Sequence, residues 1–281
     1  MAQVVAVSAH KGGVGKSSLV GNLAAGAAAA GLRVLVIDAD QQGNVSEILG
    51  THPRDIVPGD GLSAVYLDGE PLSNRTRETN LPGVHLVVGD ELLAEVDYSL
   101  GIREGLARAE GAHAAWSRIL DEAVAEVRDA YNLVLIDTAP GFGILVSSAI
   151  CAADAVLSPV LVEPHAIRGL ERTASAVERA RRDLGARAEL AGVVIQMVDL
   201  RSSYVRATRD EVRRHPVYGR LVYATEVPRT VRMVEASHMR RTVGAYDSTS
   251  TAARSYDALW AEFAARTPNV SALVAREHQH A

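Results

Sequence analysis

The stretch "VVAVSAHKGGVGKSS" (residues 4–18) constrains this chain more than any other. A β-branched apolar run reads as a buried parallel strand, and it stops at a turn carrying Gly12, Gly13 and Gly15. Behind the turn, Leu19, Val20, Leu23, Ala24 and Ala27 fall at helical spacing, with Gly31 placed to end the helix. "RVLVIDAD" (33–40) is then a second strand. Strand, tight turn, helix, strand is a right-handed βαβ unit, with the turn at the C-terminal end of a strand in a parallel sheet.

The turn has the chemistry of a phosphate cradle. Glycines let the backbone approach an anion and point N–H groups at it, and the helix that follows adds its positive end. Lys16 is placed to reach the β- and γ-phosphates of a nucleotide, and the Ser17 hydroxyl to ligate Mg²⁺. The common pattern puts its first glycine at residue 10, where His10 stands, and a second lysine, Lys11, follows. The chain has 27 arginines and two lysines, both in this turn. A compact ammonium is needed there, where a planar guanidinium would not serve.

Past residue 40 the alternation continues. Residues 51–83 read as loops around one short helix ("GLSAVYL"), "GVHLVVG" (83–89) as a strand, and 91–130 as helix interrupted near Gly105 and Gly111. "YNLVLIDTAPG" (131–141) and "DAVLSPVLVEP" (154–164) are strands, "HAIRGLERTASAVERARRDLG" a helix and "LAGVVIQMVD" a strand. Helices and a short strand, "LVYATEVP", close the chain. The 281 residues show no repeat, low-complexity linker or composition break. The expectation is one α/β domain over 1–266, a doubly wound, mostly parallel sheet flanked by helices, then a short tail, 267–281, whose composition permits disorder. No apolar run reaches membrane-spanning length, no charged-then-apolar leader precedes "QVVAVS", and Cys151 is the single cysteine. These features point to a cytoplasmic protein without disulfides, and Cys151 reads as a core residue.

Carboxylates complete the candidate site. Asp137 ends the apolar strand "LVLID", where a Walker B aspartate holds Mg²⁺, and Asp38 and Asp40 end "LVIDAD".

"KGGVGKS" resembles the deviant Walker A motif, K-G-G-x-G-K-[ST], of the ParA/MinD group of ATPases. "DADQQGN" resembles their switch I (D-x-D-P-Q-G-N), and "DTAPGFG" their Walker B and switch II (D-T-P-P). "VEPHAIRGLERT" and "EVPRTVRMVEASHMRRTV" resemble later segments of the ParA branch, so the likeness runs from about residue 3 to residue 265. The resemblance implies an ATP hydrolase that binds ATP and Mg²⁺ and acts as an ATP-sandwiched homodimer. It implies that Lys11 crosses to the partner subunit's nucleotide while Lys16 serves its own subunit. Gly12, Gly13, Val14, Gly15, Ser17 and Ser18 complete the nucleotide loop, Asp38 lies near the lysine and joins Ser17 and Asp137 as a metal residue, and Pro228 and Arg229 lie next to the base. Asp40 positions the attacking water, so Lys11, Lys16 and Asp40 are the implied catalytic residues. Gln41 replaces the switch I proline and Ala139 the first proline of switch II, which removes restraint from both loops. Ser237-His238-Met239-Arg240-Arg241 stands where the family has P-S-x-G-x.

The formal charge is −5, yet residues 201–241 hold ten arginines against Asp210, Glu211, Glu226 and Glu235, a net of +6 that leaves −11 elsewhere. Charge alone fits a phosphate-backbone footprint or a salt-bridged helix face. The resemblance implies the first: ParA proteins bind DNA non-specifically as ATP dimers, and Arg201 and Arg232 match positions implicated in that contact. Arg206, Arg209, Arg213 and Arg214 join them by clustering alone. A ParB-like adaptor would stimulate hydrolysis, release the dimer and so move plasmid or chromosome DNA. A MinD-like membrane ATPase needs basic and bulky apolar faces that "TPNVSALVAREHQHA" lacks, so no membrane partner is expected. A ParA-like ATPase that positions a non-DNA cargo has the same motifs. With the loop starting at residue 11, no N-terminal operator-binding domain is expected.

Overall fold

The computed structural model describes residues 1–109 and 116–280. Its strands are β1 (Gln3–Val7), β2 (Val34–Ala39), β3 (Thr76–Glu78), β4 (Val84–Val87), β5 (Leu133–Thr138), β6 (Ala155–Leu161) and β7 (Glu189–Gln196). They form one seven-stranded sheet in the order β3-β4-β2-β5-β1-β6-β7. All pairings are parallel except that of the edge strand β3 with β4. The inner strands are predominantly apolar because both faces are covered, with Asp38 and Asp137 near their C-terminal ends. Val4, Ala6, Leu35, Ile37, Val134 and Ile136 enter the core on one face, and Val5, Val7, Val34, Val36, Leu133 and Leu135 enter the core on the other.

The first face is packed by α3 (Leu62–Leu67), α4 (Leu93–Ala109), α5 (Trp116–Val127), α6 (Ile144–Ala152) and α7 (Ala166–Leu184). The second carries α1 (Lys16–Ala29), α2 (Asn44–Ile48), α9 (Val231–His238), α10 (Val243–Tyr246), α11 (Thr251–Arg266) and α12 (Pro268–His280). α8 (Ser203–Arg214) packs at the β7 edge through Val212. This is the doubly wound sheet expected. Cys151 is buried in α6, where burial pushes its thiol up to about 11.

Four details depart from the reading of the sequence. α4 runs unbroken through Gly105, whose propensity penalty of about 1 kcal/mol is outweighed by buried Leu93, Val96 and Leu100; Gly111 lies outside the described residues. β3 has no apolar alternation to announce it and is pinned by Arg75 and Arg77, which bond Asp60 at 2.6 and 2.8 Å. "LVYATEVP" is not a strand. It meets β7 at Val193 and the residues just after β7 at Val198 through isolated bridges from Val222 and Pro228, and between them Glu262 on α11 takes the Ala224 and Thr225 N–H groups at 2.7 and 2.9 Å. The segment after Thr267 is helical, with Val270 buried and Leu273 and Val274 packed against the same core.

α1 sits against α11 at Gly26, where a Cβ would lie 2.7 Å from Trp260 Cγ and 2.8 Å from its Cβ. Gly26→Val should therefore destabilise the fold by about 1–3 kcal/mol despite the better helix former, read as a lower urea midpoint.

Candidate nucleotide and metal site

The first turn leaves β1 at Ser8 and enters α1 at Lys16. Gly13 and Gly15 hold φ of 72° and 85°, the left-handed region that a side chain would strain. No side chain caps α1, so the N–H groups of its first turn remain for an anion. Val14 is buried beneath the loop and Gly12 lies over Pro140. The strand order places this loop where the chain reverses direction across the sheet, at the strand C-termini, the usual ligand position in such folds.

Sheet register brings the carboxylates to it. Val7 pairs with Asp137 and Asp38 pairs with Asp137 across β1, β5 and β2, so both aspartates end beside the loop. Asp38 and Asp137 are fully buried and Asp40 and Lys16 nearly so. Both Asp137 oxygens lack a hydrogen-bond partner; the Ser17 hydroxyl stands close enough to favour its ionised form without reaching bonding geometry. Asp38 accepts from Ser46 N–H (3.1 Å), Ser46 Oγ–H (2.6 Å) and Asp40 N–H (3.2 Å). Burial still pushes the Asp38 carboxyl up to about 7, and burial followed by the Asp38 charge pushes Asp137 well up. Burial also lowers the Lys16 ammonium, against the opposing pull of Asp137 and Asp40.

Three carboxylates are thus buried against one ammonium, and the orphaned oxygens of Asp137 beside Ser17 fit a divalent cation. No three His, Cys, Asp or Glu side chains among the described residues could hold a metal alone. That is the arrangement expected for Mg²⁺, which takes one or two protein ligands and completes its shell with phosphate and water.

The loops around the site are tied without the missing prolines. After Asp40 the chain turns through Gln41, closed by Gln42 N–H on Asp40 Oδ1 (3.0 Å) and Gly43 N–H on the Asp40 carbonyl (3.0 Å). Beyond Ala139, Asp97 from α4 accepts the Leu145 N–H at 3.0 Å and caps α6. Arg240, at the position of the family's glycine, keeps a left-handed φ of 52°.

Pro228 and Arg229 line a cleft of about 1000 Å³ beside the loop, together with Ser18, Gln196, Met197 and Arg201. Arg201 forks onto Asp199 (2.8 and 2.6 Å), and Arg232 pairs with Glu235 (2.8 Å) and Asp247 (3.3 Å). Arg209 and Arg214 pair with Asp210, Arg213 pairs with Glu226, and Arg206 donates to backbone carbonyls. Lys11 is exposed and paired with Glu163 of its own chain.

Three contacts had no signal in the residue pattern. Ser46 holds Asp38 from eight residues on, Glu163 holds Lys11 from the loop between β6 and α7, and Gln196 donates to the Gly15 carbonyl while accepting from Tyr256. The last two depend on strand order, and a motif at one strand end carries no record of it; the first depends on how the turn after β2 folds back.

A glycine loop between strand and helix, over a buried lysine and strand-end carboxylates, defines a P-loop nucleotide-binding protein. The family model described as an AAA domain matches residues 2–190. The chain is 36% identical over 259 residues to the chromosome partitioning protein ParA of Caulobacter vibrioides, covering 90% of this chain and 91% of that one. It is 34% identical over 264 residues to the chromosome-partitioning ATPase Soj of Thermus thermophilus, covering 93% and 95%. Cobyrinic acid a,c-diamide synthase from Mycobacterium smegmatis, solved with bound ATP analogue and magnesium, superposes with a TM-score of 0.76 at 25% identity, covering 92% of this chain and 93% of that one. The cell division ATPase MinD of Pyrococcus furiosus shares the fold, with a TM-score of 0.74 at 19% identity over 95% of this chain and 100% of that one. The chain belongs to the ParA/MinD-type family of P-loop ATPases, with its ParA/Soj relatives. Among the described residues no helix is long and apolar enough to cross a membrane.

With Asp38 raised from 3.8 to about 7, the folded protein holds a proton that the unfolded chain has already released across that window. Stability of the nucleotide-free protein in a chelator should therefore fall as pH rises from about 4 to about 7. Asp38→Asn, whose carbonyl can still accept from Ser46, should flatten that fall in a series of thermal melts.

Proposed function

We propose that this chain binds ATP with Mg²⁺, closes on it as a homodimer, and coats DNA non-specifically in that state. A ParB-like adaptor would then stimulate hydrolysis and disperse the dimer, and the cycle would segregate plasmid or chromosome DNA on the nucleoid. The observation that carries the reading is the buried Asp137 carboxylate, both oxygens unpartnered, beside Ser17 and Lys16 at the mouth of the glycine loop. Chromosome-partitioning relatives at 36% and 34% identity over nearly the whole chain support the biological role.

The residues divide the work by position. The loop N–H groups and Lys16 hold the phosphates, and the desolvated ammonium acts more strongly there than it would in water. Ser17 and Asp137 would hold a magnesium ion, which would supply positive charge against the phosphates. Asp40 has one oxygen committed to the Gln42 N–H, so its other oxygen is the one to orient an attacking water. Ser18, Pro228 and Arg229 flank the cleft into which the base would extend.

Lys11 would exchange Glu163 for the partner subunit's nucleotide. The pair is solvent-exposed on both sides, so exchanging it costs little. A similar argument applies to Arg201 and Arg232, whose half-exposed carboxylate partners would be replaced by DNA phosphates.

The test is binding to a mixed-sequence duplex with ADP, ATP or no nucleotide at two salt concentrations. ATP alone should switch on salt-sensitive binding. Lys11→Ala should abolish it together with the ATP-dependent dimer seen by light scattering, and Arg232→Ala should weaken it about tenfold with the dimer intact. A wild type that dimerises with ATP and ignores DNA in every state would sink the DNA role.

A further inference from the structure

Five of the ten arginines in 201–241 (Arg201, Arg209, Arg213, Arg214 and Arg232) are paired with carboxylates. The contrast lies on α7. Arg168, Arg172, Ser175 and Arg179 stand at i, i+4, i+7 and i+11, one face of the helix, while Leu170, Thr173, Val177 and Ala180 bury the other. Among the described residues, no carboxylate lies within ion-pair reach of Arg168, Arg172 or Arg179, although Arg181 and Arg182 on the same helix are both paired.

This face forms one wall of a cleft of about 540 Å³, closed opposite by His10 and Phe142. Arg172 donates to His10 Nε2 at 2.6 Å, and the His10 ring stacks on Phe142 with centroids 5.3 Å apart and 13° between planes. His10 Nδ1 is buried with no partner of its own. His10 immediately precedes Lys11, and Phe142 lies in the loop after Asp137. The cleft wall therefore includes both loops that face the nucleotide.

We propose that the α7 cleft is a docking site for an acidic segment of a partner protein, whose carboxylates take Arg168, Arg172 and Arg179. Complementary charge selects the occupant, since three arginines against the single carboxylate of Glu171 leave the cleft net positive and attract a run of carboxylates. The aromatic wall and the Glu171 carboxylate suit a peptide segment better than a duplex backbone, which needs an uninterrupted basic track. A carboxylate that draws Arg172 away from His10 loosens the His10–Phe142 stack, so docking is felt at Lys11 and at the loop after Asp137.

The proposal rests on the partner reading above for its purpose only. Its test uses the full chain without nucleotide or DNA, so either result stands apart from the DNA assay. The probe is a fluorescein-labelled oligoglutamate peptide followed by anisotropy, with duplex DNA as competitor. The wild type should bind it in a salt-sensitive manner, and Arg168→Glu combined with Arg179→Glu should weaken binding about tenfold or more. Arg182→Glu, on the same helix and outside the cleft, should leave binding unchanged. His10→Ala should tighten binding by releasing Arg172. A wild type that does not bind, an equal loss in Arg182→Glu, or displacement of the peptide by duplex that itself depends on Arg168 and Arg179 would overturn the proposal.

Discussion

Asp38 and Asp137 face each other in register across β2 and β5, both without solvent, and the rest of the site is arranged around that repulsion. Two buried carboxylates on neighbouring strands cannot both ionise without help. Ser46 supplies two donors to Asp38, Lys16 supplies one desolvated ammonium, and Asp137 is left with two bare oxygens. What is missing is positive charge, and a magnesium-bearing nucleotide delivers it to that point. Burial pushes both carboxyls up, so a cation held there would compete with protons and its binding would be linked to proton release.

Where the charges stand matters more than their total. Half of the arginines in the basic segment 201–241 are paired with carboxylates, so those five meet another anion only by exchanging one partner for another. Exposed pairs allow that exchange at low cost, which suits a surface that grips and releases repeatedly. Lys11 is held the same way, by Glu163. Arg168, Arg172 and Arg179 on α7 have no carboxylate in ion-pair reach among the described residues, and they line a cleft with His10 and Phe142, next to the glycine loop and the loop after Asp137.

The departures from the family pattern are absorbed by hydrogen bonds. A proline would restrict the turn after Asp40; here Asp40 closes it with its own side chain and carbonyl, and Gln41 points outward. Asp97 reaches from α4 to cap α6 behind Ala139. Arg240 keeps the left-handed turn of a glycine and is held by Asn80, which donates to its carbonyl at 3.1 Å. In each case the backbone path is kept and the residue enforcing it has changed.

The strand ends, the glycine loop, Lys16, Ser17 and the three aspartates were legible from residue order, because a βαβ unit fixes the relation of a loop to its own strand and helix. Continuous apolar runs and helical spacing likewise foretold a doubly wound sheet flanked by helices. The placement of Asp137 between Asp38 and the loop was not legible, since it depends on β5 inserting between β1 and β2, a choice made by packing both sheet faces at once. The same limit hid Glu163 and Gln196, and it made "LVYATEVP" look like a strand until Glu262 took its N–H groups. Local chemistry is written in short patterns. Which distant group meets it is decided only when the sheet order brings strand ends together and burial sets how strongly their charges act.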